Sequence, residues 1–392
     1  MARRQLSALT PSVRNLKRVR RRLRLWRLPF AIATSRWVQL TVSGHEQIPK
    51  GQPVLILANH TGFFDPPIVV RAAGQAVTML ATESNFRDGP IGRFFVYFGA
   101  VPKMKYTADV RAIITLKRWA DSGANIGLFP EGERTWDGRR LPLVPGVEKL
   151  ARVLGLPLVT MRIYNGFRQS PRWARHMRRG QIHVEIDRPC HFNKNVSLKE
   201  IRSYIEQGIT VDALDGPRFP VKGNRLSEGI SNVAWACPQC FGIEGLREED
   251  SEILCRKCNA KWRIDLDSQF VGSSSTPSYT LPQVVDRIRA YHANWTDIPA
   301  DRNKPLLKSP NMTLTDISVS HPQTVGQGKL HLTKDMLYIE GELPWQIPIH
   351  RLETVTVDMR RRLTFRTGQR YLEVAIPKES VLKWEWFIQH LK

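Results

Sequence analysis

The stretch PVLILANHTGFFDPP, residues 53–67, decides the fold. Val54–Ala58 is apolar without alternation, as in a strand buried on both faces of a sheet. His60 and Asp65 follow at its end, five positions apart. Further apolar runs, AVTMLAT, ANIGLFP, LPLVTMRI and QIHVEID, alternate with helical patterns. Two of these patterns, ADVRAIITLKRWADSG and GVEKLARVLG, close on Gly123 and Gly155, as helix ends prefer. A last helix is predicted near 197–209. Strand–helix alternation over 40–212 predicts an α/β domain with helices on both faces of a sheet.

A second charged loop, LFPEGERTWDG (Leu128–Gly138), also follows an apolar strand and carries Glu131, Glu133 and Arg134. Between the two loops, FGAVPKMK delivers Lys103 and Lys105. Charged residues at the C-terminal ends of two strands would meet over one sheet edge, where open α/β sheets place ligands. A His–Asp pair beside a carboxylate and several cations suits a substrate with a hydroxyl to deprotonate and a phosphate to hold.

NHTGFFD, with its H-x4-D core, resembles the first motif of the glycerolipid acyltransferase family, and FPEGER resembles its third. GAVPKMK lies where that family has a phosphate-binding segment, with Lys105 at its usual arginine position. LPLVTM resembles the fourth motif, and LPLVPGVEKLA the lysine- and proline-containing segment before a helix. The resemblance implies acyl transfer from acyl-CoA or acyl-carrier protein to a lysophospholipid. His60 would be the base and Asp65 its orienting carboxylate. Asn59, Lys103, Lys105, Glu131, Gly132 and Arg134 would bind substrate, and Phe63 and Phe64 could wall the acyl chain. A scaffold that keeps the fold without the activity is the alternative.

Outside this domain the sequence changes character. Residues 213–232, rich in Gly, Pro and charge, read as a linker. Cys237-x-x-Cys240 and Cys255-x-x-Cys258, within 233–268, read as a zinc ribbon, since four thiolates on two tight turns suit a structural tetrahedral Zn²⁺. A helix over 279–296 and a second linker through Pro299, Pro305 and Pro310 come next. Residues 312–392 alternate apolar and polar positions and end in an amphipathic helix. They resemble a GRAM or pleckstrin-homology-like domain, mostly β with one C-terminal helix.

The 392 residues carry 59 Lys and Arg against 36 Asp and Glu, a net charge of +23. That excess fits an anionic membrane face or nucleic acid. Nucleic acid would leave His60, Asp65 and Glu131 unexplained. The segment 1–39 is a basic arm with a helix expected over 9–26: Leu9, Val13, Leu16, Val19, Leu23 and Trp26 share one face, and Pro29 is expected to end it. Such a helix can lie in a membrane interface or dock on the domain; an Arg-rich, acid-free start also fits a transit peptide. The cluster Arg162, Arg168, Arg172, Arg175, Arg178 and Arg179 could meet anionic lipid headgroups or the acyl donor's phosphates, or stay a solvated loop. No apolar run approaches the roughly 20 residues of a spanning helix, so a peripheral position on the cytoplasmic side of a membrane is expected.

Overall fold

The structure, a computed structural model, describes residues 13–392 except 87–88, 104–108, 194, 212–215, 294–303, 319–321, 359–360 and 377–378. The chain divides into two compact units. One runs to Arg172 and resumes over His176–Asn224; the other is Arg225–Lys392 together with Trp173–Arg175.

The first unit contains, in chain order, α1 (Val13–Ser35), β1 (Val38–Ser43), β2 (Leu55–Ala58), α2 (Asp65–Ala73), β3 (Val77–Thr82), α3 (Gly89–Tyr97), β4 (Val101–Lys103), α4 (Val110–Asp121), β5 (Asn125–Leu128), α5 (Val147–Leu154), β6 (Leu158–Tyr164), α6 (Gly166–Gln169), β7 (Arg179–Ile186), α7 (Leu198–Ile209) and β8 (Val221–Lys222). The sheet order is β1-β7-β6-β2-β5-β3-β4, with β8 on β7. Strands β6, β2, β5, β3 and β4 are mutually parallel, whereas β7 runs antiparallel to β6. Every residue of β2 and β5 is buried. Leu55 and Leu57 join one core with Leu116 of α4, Leu154 of α5 and Ile205 of α7. Ile56 and Ala58 join the opposite core with Ile68 and Val69 of α2. The pleat thus sends alternate residues of one apolar strand into two helical layers.

Three expectations about segment ends are corrected. Helix α1 does not stop at Pro29 but continues through it to Ser35. A proline inside a helix forfeits one backbone hydrogen bond and crowds the preceding turn, yet it does not prevent helical residues on both sides. Residues 9–12 of the expected helix lie outside the described residues. The supposed linker 213–232 contains β8, which pairs with Arg179 and Gly180, and a short 3-10 turn at Ile230–Asn232. Val221 and Ile230 within it are buried. Pro310 is no linker residue; it lies inside a strand, at a register shift between Lys308 and Asn311 that removes the need for its missing N–H.

The apolar stripe of α1 docks on its own domain. Val19 is buried in the core with Leu116 and Trp119, and Leu23 packs against it. Gly99 makes room: at φ +70° it has no Cβ, which would sit 2.8 Å from Val19. Among the described side chains of α1, Leu25, Leu28 and Ile32 are exposed, and Trp26 of the stripe is about half exposed.

In the second unit, β9 (Leu246–Glu249), β10 (Glu252–Cys255), β11 (Lys261–Ile264) and β12 (Phe270–Val271) form a small antiparallel sheet, followed by α8 (Leu281–Ala293). Seven strands follow: β13 (Leu307–Asp316), β14 (Gln323–Leu332), β15 (Met336–Leu343), β16 (Trp345–Pro348), β17 (Thr354–Asp358), β18 (Arg362–Thr367) and β19 (Arg370–Ala375). They are antiparallel throughout, in the order β16-β15-β14-β13-β19-β18-β17, and α9 (Val381–Leu391) ends the chain. The cysteine segment and this sheet, expected as separate modules, fall in one unit. Trp235 meets Trp386 and Phe387 of α9, and Ser380 donates to the Asn232 carbonyl at 2.6 Å. The Lys383 ammonium, almost fully buried, pairs with Glu244 and with Glu379, the latter at 2.8 Å.

One close approach in the first unit gives a stability prediction. A methyl group at Gly208 of α7 would lie 2.5 Å from the Thr160 side chain. The Thr160 hydroxyl is engaged, donating to Asp187 Oδ2 at 2.6 Å. Gly→Ala in an open helix gains about 1 kcal/mol. Here we expect Gly208→Ala to lose about 1–3 kcal/mol through overpacking, measured by urea unfolding; a net gain would contradict the packing described.

Candidate active site

Strands β2 and β5 lie side by side, parallel, with Leu57 opposite Leu128. His60 is three residues past Leu57 and Glu131 three past Leu128. The two chemical loops therefore leave neighbouring strands at the same level, and equal offsets bring their charged residues together.

The first loop is built around the Asp65 carboxylate, which is fully buried. Its Oδ2 accepts from His60 Nδ1 at 2.9 Å and from the backbone N–H groups of Thr61 and Gly62, both at 2.7 Å. Asp65 is also the first residue of α2, where the helix dipole favours an anion. Pro66 and Pro67 follow where helical N–H groups have no partner anyway, so they cost no hydrogen bond. Gly62 is required by space: a Cβ there would lie 2.9 Å from Asp65 Oδ1.

With Nδ1 donating to Asp65, the other ring nitrogen of His60, Nε2, is left to accept a proton. The ring stacks on Phe129 of the second loop, centroids 4.1 Å apart, and is 18% exposed. Burial holds its pKa below the ordinary value, with Arg134 and Arg172 adding to the drop and Asp65 opposing it. The imidazole is therefore neutral at pH 7, as a base must be.

Glu131 is buried, and its Oε2 has no hydrogen-bond partner. Burial, helped by the nearby Asp65 charge, pushes its pKa up to about 8, although backbone groups of His60 and Leu141 favour the ionised form. Gly132, at φ +77°, turns the loop. Arg134 lies over the Phe63 ring at 5.9 Å, and Phe63 is exposed. Lys103 stands half-buried at the end of β4; burial lowers its pKa, and Asp109 opposes the shift. Lys105 lies outside the described residues.

Asn59 differs from the expectation. Its side chain donates to the Ile163 carbonyl at 2.9 Å and accepts from the Ile163 N–H at 2.7 Å. Both amide ends are spent on β6, so the residue ties the His60 loop to the sheet instead of meeting a substrate. The headgroup reading of the arginine cluster is corrected too. Arg162 pairs with Asp187 at 2.6 Å and Glu185 at 3.2 Å. Arg168 donates to the Phe219 carbonyl, and buried Arg178 donates to the Arg168 carbonyl. Buried Arg172 bonds the FPEGER loop. Only Arg175 and Arg179 of the six are exposed.

The four cysteine Sγ atoms of Cys237, Cys240, Cys255 and Cys258 lie within 4.8 Å of one another. The separations Cys237–Cys258 and Cys240–Cys255 are 3.8 and 3.7 Å. A tetrahedron with Zn–S near 2.3 Å has edges of about 3.8 Å, so the donor set fits Zn²⁺. The two turns match: Phe241 and Asn259, each just after its second cysteine, are both left-handed, at φ 58° and 59°. The N–H groups of Gln239 and Lys257 point at Cys237 and Cys255 sulfur at 3.4 Å, which stabilises thiolates. Four sulfur ligands leave no open position, so the ion would hold the ribbon together and take no part in chemistry.

Residues 39–164 match the family model described as Acyltransferase. Among curated proteins, the chain is similar to a 1-acyl-sn-glycerol-3-phosphate acyltransferase of Borreliella burgdorferi, 28% identical over 134 residues, covering 33% of this chain and 52% of that protein. It is also similar to the chloroplastic 1-acyl-sn-glycerol-3-phosphate acyltransferase BAT2 of Brassica napus, 25% identical over 175 residues, covering 43% and 51%. The chain spans about half the length of the curated relatives it matches. Among solved structures it is similar to the 1-acyl-sn-glycerophosphate acyltransferase PlsC of Thermotoga maritima, 23% identical, with a TM-score of 0.41, covering 47% of this chain and 75% of that one.

The cysteine geometry makes a direct prediction. Elemental analysis of the purified protein should find about one zinc per chain, and Cys237→Ser should lose it. A metal-free wild-type protein with four titratable thiols would contradict the assignment.

Proposed function

We propose that this chain is a peripheral membrane O-acyltransferase, moving a fatty acyl group from a thioester donor, acyl-CoA or acyl-carrier protein, to a lysophospholipid hydroxyl, with 1-acylglycerol-3-phosphate the leading acceptor. The single observation that carries the reading is the His60–Asp65 pair standing level with Glu131 on adjacent strands. His60 Nε2 takes the acceptor's hydroxyl proton as that oxygen attacks the thioester carbonyl. The C–S bond then breaks, and the imidazolium returns the proton to the leaving thiolate. Asp65 stabilises the imidazolium that forms in between. Arg134 and Lys103 hold the acceptor phosphate, joined by Lys105 in the arginine's role. Glu131 and Gly132 meet the glycerol part.

A cleft beside this site supports a lipid substrate. It is an open cleft of about 140 Å³ lined by Pro66 and Pro67, which follow Asp65 in sequence, with Val70, Met79, Phe94, Phe98 and Trp26 among its walls. Its walls are almost wholly apolar, and each methylene of an acyl chain buried against them would contribute about 0.8 kcal/mol.

No helix among the described residues is long and apolar enough to cross a membrane. Leu25, Leu28 and Ile32 share one exposed face of α1 amid its arginines, which supports docking on the cytoplasmic face of an anionic bilayer. The seven antiparallel strands with a C-terminal helix support a GRAM- or pleckstrin-homology-like docking module.

His60→Ala should lower turnover about 10²–10⁴-fold without loss of fold. Because burial depresses the His60 pKa, the rate should rise with pH through an acid limb below 6.5 and be flat at neutrality. An acyl-transfer assay over a panel of lysolipids and both donor types tests this; undiminished turnover by His60→Ala would remove the base assignment. Changing Leu25, Leu28 and Ile32 together to Ser should release the protein from anionic liposomes in a sedimentation assay while leaving the docked Val19 stripe intact. Unchanged pelleting would exclude this face as the anchor.

A further inference from the structure

The segment GFRQSPR, Gly166–Arg172, begins just beyond the residues that match the family model, and it touches both chemical loops. At one end it meets the base loop. The Phe63 N–H donates to Ser170 Oγ at 2.8 Å, and Ser170 is buried. Gly166 lies so close that a Cβ on it would sit 2.6 Å from Thr61 Oγ1 and 3.2 Å from Asp65 Oδ1. At the other end it meets the acceptor loop. Arg172, 4% exposed, donates through Nη1 to Glu133 Oε2 at 2.7 Å and to the Arg134 carbonyl at 2.8 Å. Its guanidinium also covers the Trp136 ring at 4.2 Å.

We infer that Gly166–Arg172 is a brace that fixes the base-bearing loop against the acceptor-binding loop, with Ser170 and Arg172 as positioning residues. The physical need is plain. Each chemical loop is anchored to its own strand, and the pair must hold reacting atoms to a fraction of an ångström; misplacement by about 1 Å can cost about 100-fold in rate. Ser170 gives a backbone N–H of the base loop a buried acceptor. Arg172 fixes a side chain and a carbonyl that flank Arg134, the cation assigned to the acceptor phosphate. A lysine could not reproduce that hold, because it lacks the planar fork and the face that stacks on indole.

The two ends of the brace should separate kinetically. This inference rests on the acyl-transfer reading, so the test includes a measurement that needs no substrate. The assay uses the full chain with acyl-CoA, 1-acylglycerol-3-phosphate and anionic vesicles. Arg172→Met should raise the acceptor KM by about tenfold or more, and Ser170→Ala should lower kcat with the acceptor KM little changed. Adding Glu133→Gln to Arg172→Met should cost almost nothing further, since the two act as one unit. Independently, the His60 imidazole, followed by NMR, is faced by Asp65, Arg134, Arg172 and the Glu131 loop. Its titration should move to higher pH in Arg172→Met, which removes a cation, and return in Arg172→Lys, which leaves the acceptor KM defect. Folded variants with wild-type KM, kcat and His60 titration would overturn the brace. Should Arg172→Met fail to fold, Ser170→Ala decides alone: an unchanged kcat sinks the proposal. A titration shifted in Arg172→Met, found together with a wild-type protein that transfers no acyl group, would instead sink the acyl-transfer reading and leave the brace standing.

Discussion

Three N–H groups converge on one oxygen of a carboxylate that has no contact with water, and the first chemical loop is shaped by that convergence. An ionised Asp65 buried alone would cost several kcal/mol. Two backbone amides, an imidazole N–H and the start of a helix offset that cost together. The requirement runs outward from there. Gly62 must lack a side chain, α2 must begin at Asp65, and the imidazole must present Nε2 rather than Nδ1 to a substrate.

The second ingredient is the sheet. Two neighbouring parallel strands with Leu57 opposite Leu128 act as a ruler, so loops of equal offset place His60 and Glu131 side by side. Asn59 locks the first loop to β6 by matching both hydrogen-bonding groups of one peptide residue. At this site Phe129 stacks on the imidazole, and Arg134 and Arg172 stand near enough to lower its pKa. Such a place keeps an imidazole neutral and a carboxyl protonated near pH 7, with Glu131 pushed to about 8.

Much of this was legible in the residues themselves. The unbroken apolar runs of β2 and β5 announce strands covered on both sides, and the two charged loops that follow them announce a site. The paired Cys-x-x-Cys turns announce a metal. What was not legible depends on partners distant in sequence. Asn59 reads as a polar residue beside a catalytic motif until β6 is seen to bind it. The arginines in and after β6 read as a surface patch, yet Arg162, Arg172 and Arg178 satisfy carboxylates and carbonyls inside the domain. The helix stripe of Val19 and Leu23 reads equally as a face for lipid or for protein, and burial against Trp119 decides for protein. Pro29 and Pro310 misled for a common reason. A proline forbids one hydrogen bond, not an element, and a helix turn or a register shift can do without that bond.

The buried ammonium of Lys383 carries a consequence for the second unit. It sits in α9, yet one of its two carboxylate partners, Glu244, lies on the loop between Cys240 and the strands that carry the other cysteine pair. Letting that loop melt would leave the buried ammonium with Glu379 alone, so order among the thiolates and docking of the final helix are coupled through this pair. A metal held by the four thiolates would therefore act, through one buried ion pair, on the helix that ends the chain.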